Sequence, residues 1–212
     1  MFKRDNPIIG IYVGLIGPAI GILSVLLSIY FAPWFSWDIF ALSDLGIGQL
    51  VDRDIRTAPS NNLHIFIFNF GMIISGILIA AFIILTRSLQ LDTVISKIGY
   101  SLMFIGAICL ALVGVFPLPM AIHFIVAAIY FIVTPIGLAI VGCSYLSESR
   151  IFGIALILIG AVAFLSIIEI VAPYLFDIYT KGIAIPEMVE ATLLSLGLWL
   201  IAFRFWSEKS NK

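Results

Sequence analysis

Charged side chains are scarce in this chain. They make up 11% of its 212 residues, and the formal net charge is −1. Proteins bind nucleic acid largely through many Lys and Arg contacts to phosphates, and such proteins carry a marked basic excess. The composition therefore excludes nucleic acid as a predicted partner.

Cofactor motifs are missing as well. The sequence has no CxxC pair, no haem-attachment motif and no Gly-rich phosphate loop. Its two cysteines, Cys109 and Cys143, lie in apolar stretches near opposite ends of the helices predicted below, about 25 Å apart at 1.5 Å per residue. A disulfide needs Cα atoms within about 7 Å, so both cysteines are predicted to be buried, reduced residues. We predict no cofactor and no resident metal.

What the chain has instead is long apolar runs. Hydrophobic residues make up 62% of it, and the mean hydropathy is +1.20. A membrane-spanning helix needs about 20 consecutive apolar residues. The apolar stretch 8–32 is too long for the core of a signal peptide, so it counts as a span. The sequence predicts an all-α integral membrane protein, a single membrane domain over 1–212 built as a bundle of six transmembrane helices. The predicted spans are 8–32, 63–86, 94–116, 118–144, 150–172 and 186–206.

The distribution of basic residues predicts the orientation. The N-terminus, the segments 87–97 and 145–150, and the C-terminus hold eight Lys and Arg residues, whereas the alternate loops hold three. Positive charge accumulates on the cytoplasmic side of membrane proteins. Both termini are therefore predicted to be cytoplasmic, and the loops 33–62, 117–119 and 173–185 to face outward.

The first outer loop carries its own signals. Its aromatic residues, Trp34, Phe35, Trp37 and Phe40, are of the kind that anchor at the membrane interface. Ser36 and Gly46 suit the start and stop of a helix. We predict a short interfacial helix over about 37–45.

Three ionisable residues have a shared position relative to prolines. His123 follows Pro119 by four residues, Glu169 precedes Pro173 by four, and Glu190 follows Pro186 by four. If each proline marks an outer helix end, all three groups lie about 6 Å below it, in one layer. Charged groups in spans usually face the bundle interior or a wet cavity.

This layer has several interpretations. It can be the floor of an outward-facing cavity that holds a lipid head group, a small polar ligand or a shared proton. Imidazole and carboxylate also suit a metal. Alternatively, each group reaches the interface or bonds a neighbouring helix. Asn69 is predicted as a cavity wall, His64 as an interfacial or capping residue that could also join the site, and Asp38 and Asp44 as a lid. Glu187, directly after Pro186, fits an ordinary helix start.

Several segments resemble a known family. They are Phe35-Ser36-Trp37, residues 41–46 (ALSDLG), residues 68–71 (FNFG) with Ser75-Gly76, residues 114–117 (GVFP) followed by His123, and residues 184–187 (AIPE). Together and in this order they resemble the prokaryotic membrane family termed domain of unknown function 998. The resemblance implies six membrane helices and a plasma-membrane location, but no established activity. It places Asp44, Asn69, His123 and Glu187 in the family pattern. A fainter similarity, mainly the Ser-acid-Leu-Gly turn, hints at lipids.

The sequence thus favours a multi-pass plasma-membrane protein whose outward-facing polar cavity binds or modifies a lipid head group or small polar ligand. The predicted partners are membrane lipids. If the protein is an enzyme, hydrolysis or transfer on a lipid is the expected class, with a carboxylate or His123 as general base. The alternative is an accessory or assembly subunit of a larger membrane complex, with other membrane subunits as partners.

Overall fold

The structure is a computed structural model that describes residues 6–47, 62–176 and 182–210, without the side chains of 168–176. Six helices are long and apolar enough to cross a membrane, and the described residues contain no strand. The helices are α1 (Pro7–Tyr30), α2 (Leu63–Leu85), α3 (Val94–Val115), α4 (Ala121–Tyr145), α5 (Arg150–Phe176) and α6 (Ala184–Ser210). The prediction of an all-α bundle with six spans is confirmed. The orientation of the termini stays a prediction.

Two helix starts differ from the predicted ones, and both affect the proposed layer. α4 begins at Ala121, because the backbone first makes a turn in which Met120 donates to the Pro117 carbonyl at 3.1 Å. α6 begins at Ala184, so Pro186 is its third residue rather than its first. A proline is tolerated there because the first turn leaves its N–H groups without helical partners. Measured from the observed starts, His123 lies about 3 Å along its helix and Glu190 about 9 Å. The equal spacing from prolines does not give equal positions along the helices.

The six helices form a closed ring. Each helix packs against its neighbours in sequence, and α6 returns to pack against α1. Neighbouring helix axes lie about 8–10 Å apart, so the centre of a six-membered ring is about one helix diameter wide. The interior of such a ring is therefore either filled by side chains or left open as a cavity.

Glycines let the helices of the ring approach closely. Gly10, Gly14 and Gly17 of α1 all face residues at 78–86, in α2 and just after it. A Cβ at Gly76 of α2 would lie 2.5 Å from the Ala107 carbonyl oxygen of α3. Small residues at helix contacts are typical of packing in lipid, where no hydrophobic effect draws helices together.

Side chains also bond across helix pairs. Ser75 donates to the Gly17 carbonyl at 2.9 Å and joins α2 to α1. The indole of Trp199 donates to the Leu15 carbonyl at 3.0 Å and closes the ring between α6 and α1. At the end that carries the termini, Arg204 of α6 bonds Glu148 in the turn between α4 and α5 at 2.5 Å.

The first loop differs from its predicted form. Residues 37–39 make a turn, and Leu42–Gly46 form a short 3₁₀-helix. Phe40, Leu42 and Leu45 are buried. The helix predicted over 37–45 is therefore later and shorter, and it packs onto the bundle because its apolar residues are covered by the helix ends. The part of this loop from 48 to 61 lies outside the described residues.

Candidate functional site

A large cavity occupies the interior of the ring. Its volume is about 1390 Å³, and residues of all six helices and of the first loop line it. Pockets for small ligands are typically about 300–1,000 Å³. The cavity is therefore large enough for a ligand with a hydrocarbon chain.

The cavity walls follow helical faces. On α2 the wall residues are Phe68, Met72, Ser75 and Ile79; on α4 they include His123, Ala127, Tyr130 and Thr134; on α6 they are Glu187, Ala191, Leu194, Ser195 and Leu198. Steps of three and four residues place them on one face of each helix. Each of these three walls extends over eleven residue steps, about 16 Å at 1.5 Å per residue. This is about half of a hydrocarbon core that is about 30 Å thick.

The cavity ends at a packed floor. Leu138 of α4 contacts Gly197 of α6 across the ring, and it is fully buried. Below it, the rings of Phe82 and Phe205 lie 6.2 Å apart, centroid to centroid. The half of the bundle near the termini is thus filled by side chains, and the cavity is confined to the half that carries the first loop, which we call the loop end.

The mouth of the cavity lies along α4. Phe124, Ala128 and Ile132 line the cavity but are also exposed, Phe124 by 61% and Ile132 by 40%. The other exposed wall residues, Asp38 and Ile39, belong to the first loop, so the three on α4 mark a lateral opening. Because α4 is a membrane-spanning helix, this mouth faces the side of the bundle, where lipid would be.

Hydrogen bonds fasten the first loop to the start of α6. Gly182 N–H donates to the Asp38 carbonyl at 2.5 Å, and Ala184 N–H donates to the Phe40 carbonyl at 3.0 Å. The Glu187 carboxylate accepts a hydrogen bond from the Leu42 N–H at 2.6 Å. Gly182 is required at this contact because any Cβ would collide with the backbone of Phe40. We call these three bonds the loop clasp.

Polar groups cluster under this loop. Asp38, Asp44, His123 and Glu187 all line the loop end of the cavity. The Asp44 carboxylate accepts a hydrogen bond from the Ala41 N–H at 2.9 Å, and it lies within electrostatic range of both His123 and Glu187. His123 is 2% exposed, and its Nδ1 lies 2.8 Å from the Phe116 carbonyl oxygen. A carbonyl only accepts, so the proton is on Nδ1, and Nε2 of the neutral ring is an acceptor.

One known family matches nearly the whole length of the chain. Residues 15–204 match the family described as "Protein of unknown function (DUF998)". The chain belongs to this family. The resemblance inferred from the sequence segments is thereby confirmed. Comparison with curated proteins gives no match, and neither does comparison with solved structures.

In this DUF998 protein, the predicted site residues Asn69 and His64 do not belong to the cavity wall. Asn69 donates from Nδ2 to the Gly46 carbonyl at 3.0 Å, so it holds the end of the first loop against α2. His64 is buried, and its ring packs against Trp34 with centroids 5.6 Å apart. Its carbonyl accepts a hydrogen bond from Ser28 at 3.1 Å. Both residues hold the loop end together rather than line the cavity.

Glu190 has an unusual environment. It is fully buried, and neither carboxyl oxygen has a hydrogen-bond partner within the described part of the chain. It lies within electrostatic range of Glu187 and Tyr130, but it is not a wall residue of the cavity. The third member of the predicted layer, Glu169, belongs to α5, but its side chain lies outside the described residues.

The sequence analysis missed the polar groups deeper in the cavity. Tyr130 and Thr134 of α4 line it, as do Ser75 and Ser195. His123, Tyr130 and Thr134 are seven and four residues apart, so a helical face traced from His123 would have found the other two. No three His, Cys, Asp or Glu side chains among the described residues are grouped so that they could hold a metal ion.

Proposed function

We propose that this DUF998 protein binds an amphiphile, a membrane lipid or lipid-like molecule, in the cavity of its loop end. On the predicted topology this end faces outward from a prokaryotic plasma membrane. The head group would occupy the polar cluster of Asp38, Asp44, His123 and Glu187, beneath the first loop. The hydrocarbon chain would extend toward the floor.

The observation that carries this proposal is the shape and polarity of this cavity. Its acidic and imidazole groups lie at the loop end. The deeper walls carry a few hydroxyl groups but are mainly apolar, with side chains such as Met72, Ile79 and Leu198. A small polar ligand would leave the apolar part unfilled, and filling apolar space with hydrocarbon contributes about 0.8 kcal/mol per buried CH₂. The depth of about 16 Å also suits a chain that spans one leaflet.

The lateral mouth supports the same conclusion. Molecules in a leaflet reach a protein from its side, and the exposed wall residues Phe124, Ala128 and Ile132 lie there. A water-soluble ligand would need an entrance through the loop. The first loop, held to α6 by its clasp, lies over the polar end, where Asp38 and Ile39 are the exposed wall residues.

The direct test is to purify the protein in native-membrane nanodiscs and to identify bound lipid by native mass spectrometry. The variant Ala191→Phe fills the cavity from the α6 wall, and Ala161→Phe makes the same change at an exposed position of α5. We expect a lipid at fixed stoichiometry in the natural protein and in Ala161→Phe, and its loss in Ala191→Phe. A protein without bound lipid that instead co-purifies with other membrane subunits would support the assembly role.

A further inference from the structure

The head group that the cavity accepts can be narrowed from the hydrogen-bonding groups at its polar end. This step rests on the proposed function. Three of the groups are carboxyl groups, on Asp38, Asp44 and Glu187. Carboxyl oxygens accept hydrogen bonds, and only the protonated form also has a donor. Glu187 uses Oε2 for the Leu42 N–H, and Oε1 makes no hydrogen bond within the described residues.

His123 adds another acceptor. Its Nδ1–H is held by the Phe116 carbonyl, and in the neutral ring Nε2 is the acceptor atom. The ring lies on the cavity wall, close to the Val113 carbonyl as well as to that of Phe116. The polar end therefore presents mainly acceptors, which hydrogen-bond donors of a ligand can satisfy.

The charged residues at this end also favour a head group that donates hydrogen bonds. None of the described wall residues is Lys or Arg. A phosphate or carboxylate head group would stand beside three acidic side chains, with no cation among the described wall residues to pair with. Like charges brought together in this way strongly oppose binding. An ammonium group or a polyol meets no such opposition.

We infer that the cavity selects an amphiphile whose head group donates hydrogen bonds and carries no net negative charge, such as a primary amine or a polyol. The head group donates to His123 and Glu187 and to the aspartates of the first loop. The hydrocarbon chain lies between α2, α4 and α6. This assigns a ligand class to the site and excludes anionic lipids as its preferred occupants.

The test compares four single-chain probes with the same dodecyl-length chain. They are dodecylamine, 1-monolauroylglycerol, dodecyltrimethylammonium and dodecyl phosphate, and binding to the delipidated protein is measured by competition with a fluorescent fatty amine. We expect the first two to bind at least about tenfold more tightly than dodecyl phosphate, which follows from the size of like-charge effects at buried sites. We also expect dodecyltrimethylammonium, which has no N–H donor, to bind more weakly than dodecylamine.

Two variants connect these preferences to named groups. Glu187→Gln keeps an acceptor for Leu42 but cannot ionise beside an ammonium group. We expect it to weaken dodecylamine about tenfold and to leave 1-monolauroylglycerol nearly unchanged. His123→Asn keeps a donor for the Phe116 carbonyl but lacks an atom at the Nε2 position. We expect it to weaken both donor probes.

The outcomes separate this inference from the proposed function. If no probe binds and the protein released from the nanodiscs carries no bound lipid, the lipid-binding proposal itself is overturned. If dodecyl phosphate binds as tightly as dodecylamine, the cavity binds amphiphiles but the inferred head-group class is wrong. Equal binding of dodecyltrimethylammonium and dodecylamine also overturns it, because charge alone would then decide.

Discussion

The loop clasp gives a local prediction that can be measured residue by residue. In Glu187→Ala the buried Leu42 N–H loses the acceptor it has among the described residues, a carboxyl oxygen at 2.6 Å. A buried donor left without a partner costs about 1–3 kcal/mol. If opening of the loop sets the exchange of this amide, that loss speeds its exchange with solvent roughly 5- to 150-fold.

Hydrogen exchange followed by mass spectrometry on peptides covering 38–47 measures this change. Glu187→Gln is the matched control, because its amide oxygen can still accept from Leu42, and we expect exchange close to that of the natural protein. Peptides from α3 serve as an internal reference and should not change. Exchange at Leu42 that is unaltered in Glu187→Ala would refute the clasp. Equal acceleration in both variants would show that the charge, and not the hydrogen bond, holds the loop.

Three further predictions concern the bundle and the cavity. Gly76→Ala should lower the free energy of unfolding by about 1–3 kcal/mol in thermal or denaturant unfolding, because the new Cβ meets the α3 backbone. Gly21→Ala, whose Cβ meets only the Ser75 side chain, is its control and should change stability less. Glu190→Leu should raise the free energy of unfolding by about 1–3 kcal/mol, because it removes a buried carboxyl group that has no hydrogen-bond partner among the described residues. A free energy of unfolding below that of the natural protein would mean that Glu190 has a partner. The affinity of primary amines should rise about fourfold per added CH₂ and level off once the chain exceeds the depth of the cavity. Titration of the protein with an alkylamine series measures this dependence. A rise without a plateau would contradict the packed floor.

Much of the fold could be predicted from the sequence, because hydropathy over about 20 residues is a local property. The six spans were found within a few residues of the observed helices. The starts of α4 and α6 were misplaced because prolines were taken as helix ends, whereas a proline fits anywhere in the first turn. The 3₁₀-helix was predicted too early because the burial of Phe40 and Leu42 depends on distant helix ends.

The candidate site was less predictable, for a related reason. Glu187 and Leu42 are 145 residues apart, and no periodic pattern links them. Ionisable residues near helix ends directed attention to His123, and the family resemblance added Glu187; both line the cavity. The same argument gave Glu190 equal weight, although it is not a wall residue. Which face of each helix points to the interior depends on how all six helices pack together.

The packed floor divides the molecule into two parts with different tolerance to change. Side chains below Leu138, such as Phe82 and Phe205, are enclosed on all sides, so replacing them disturbs folding. Wall residues above it border open space and can vary in size without breaking the bundle. Descendants of one ancestral chain could therefore acquire different ligands by altering the upper half alone, while the lower half keeps the protein assembled. Sequence variation among relatives should accordingly be concentrated at the upper wall positions.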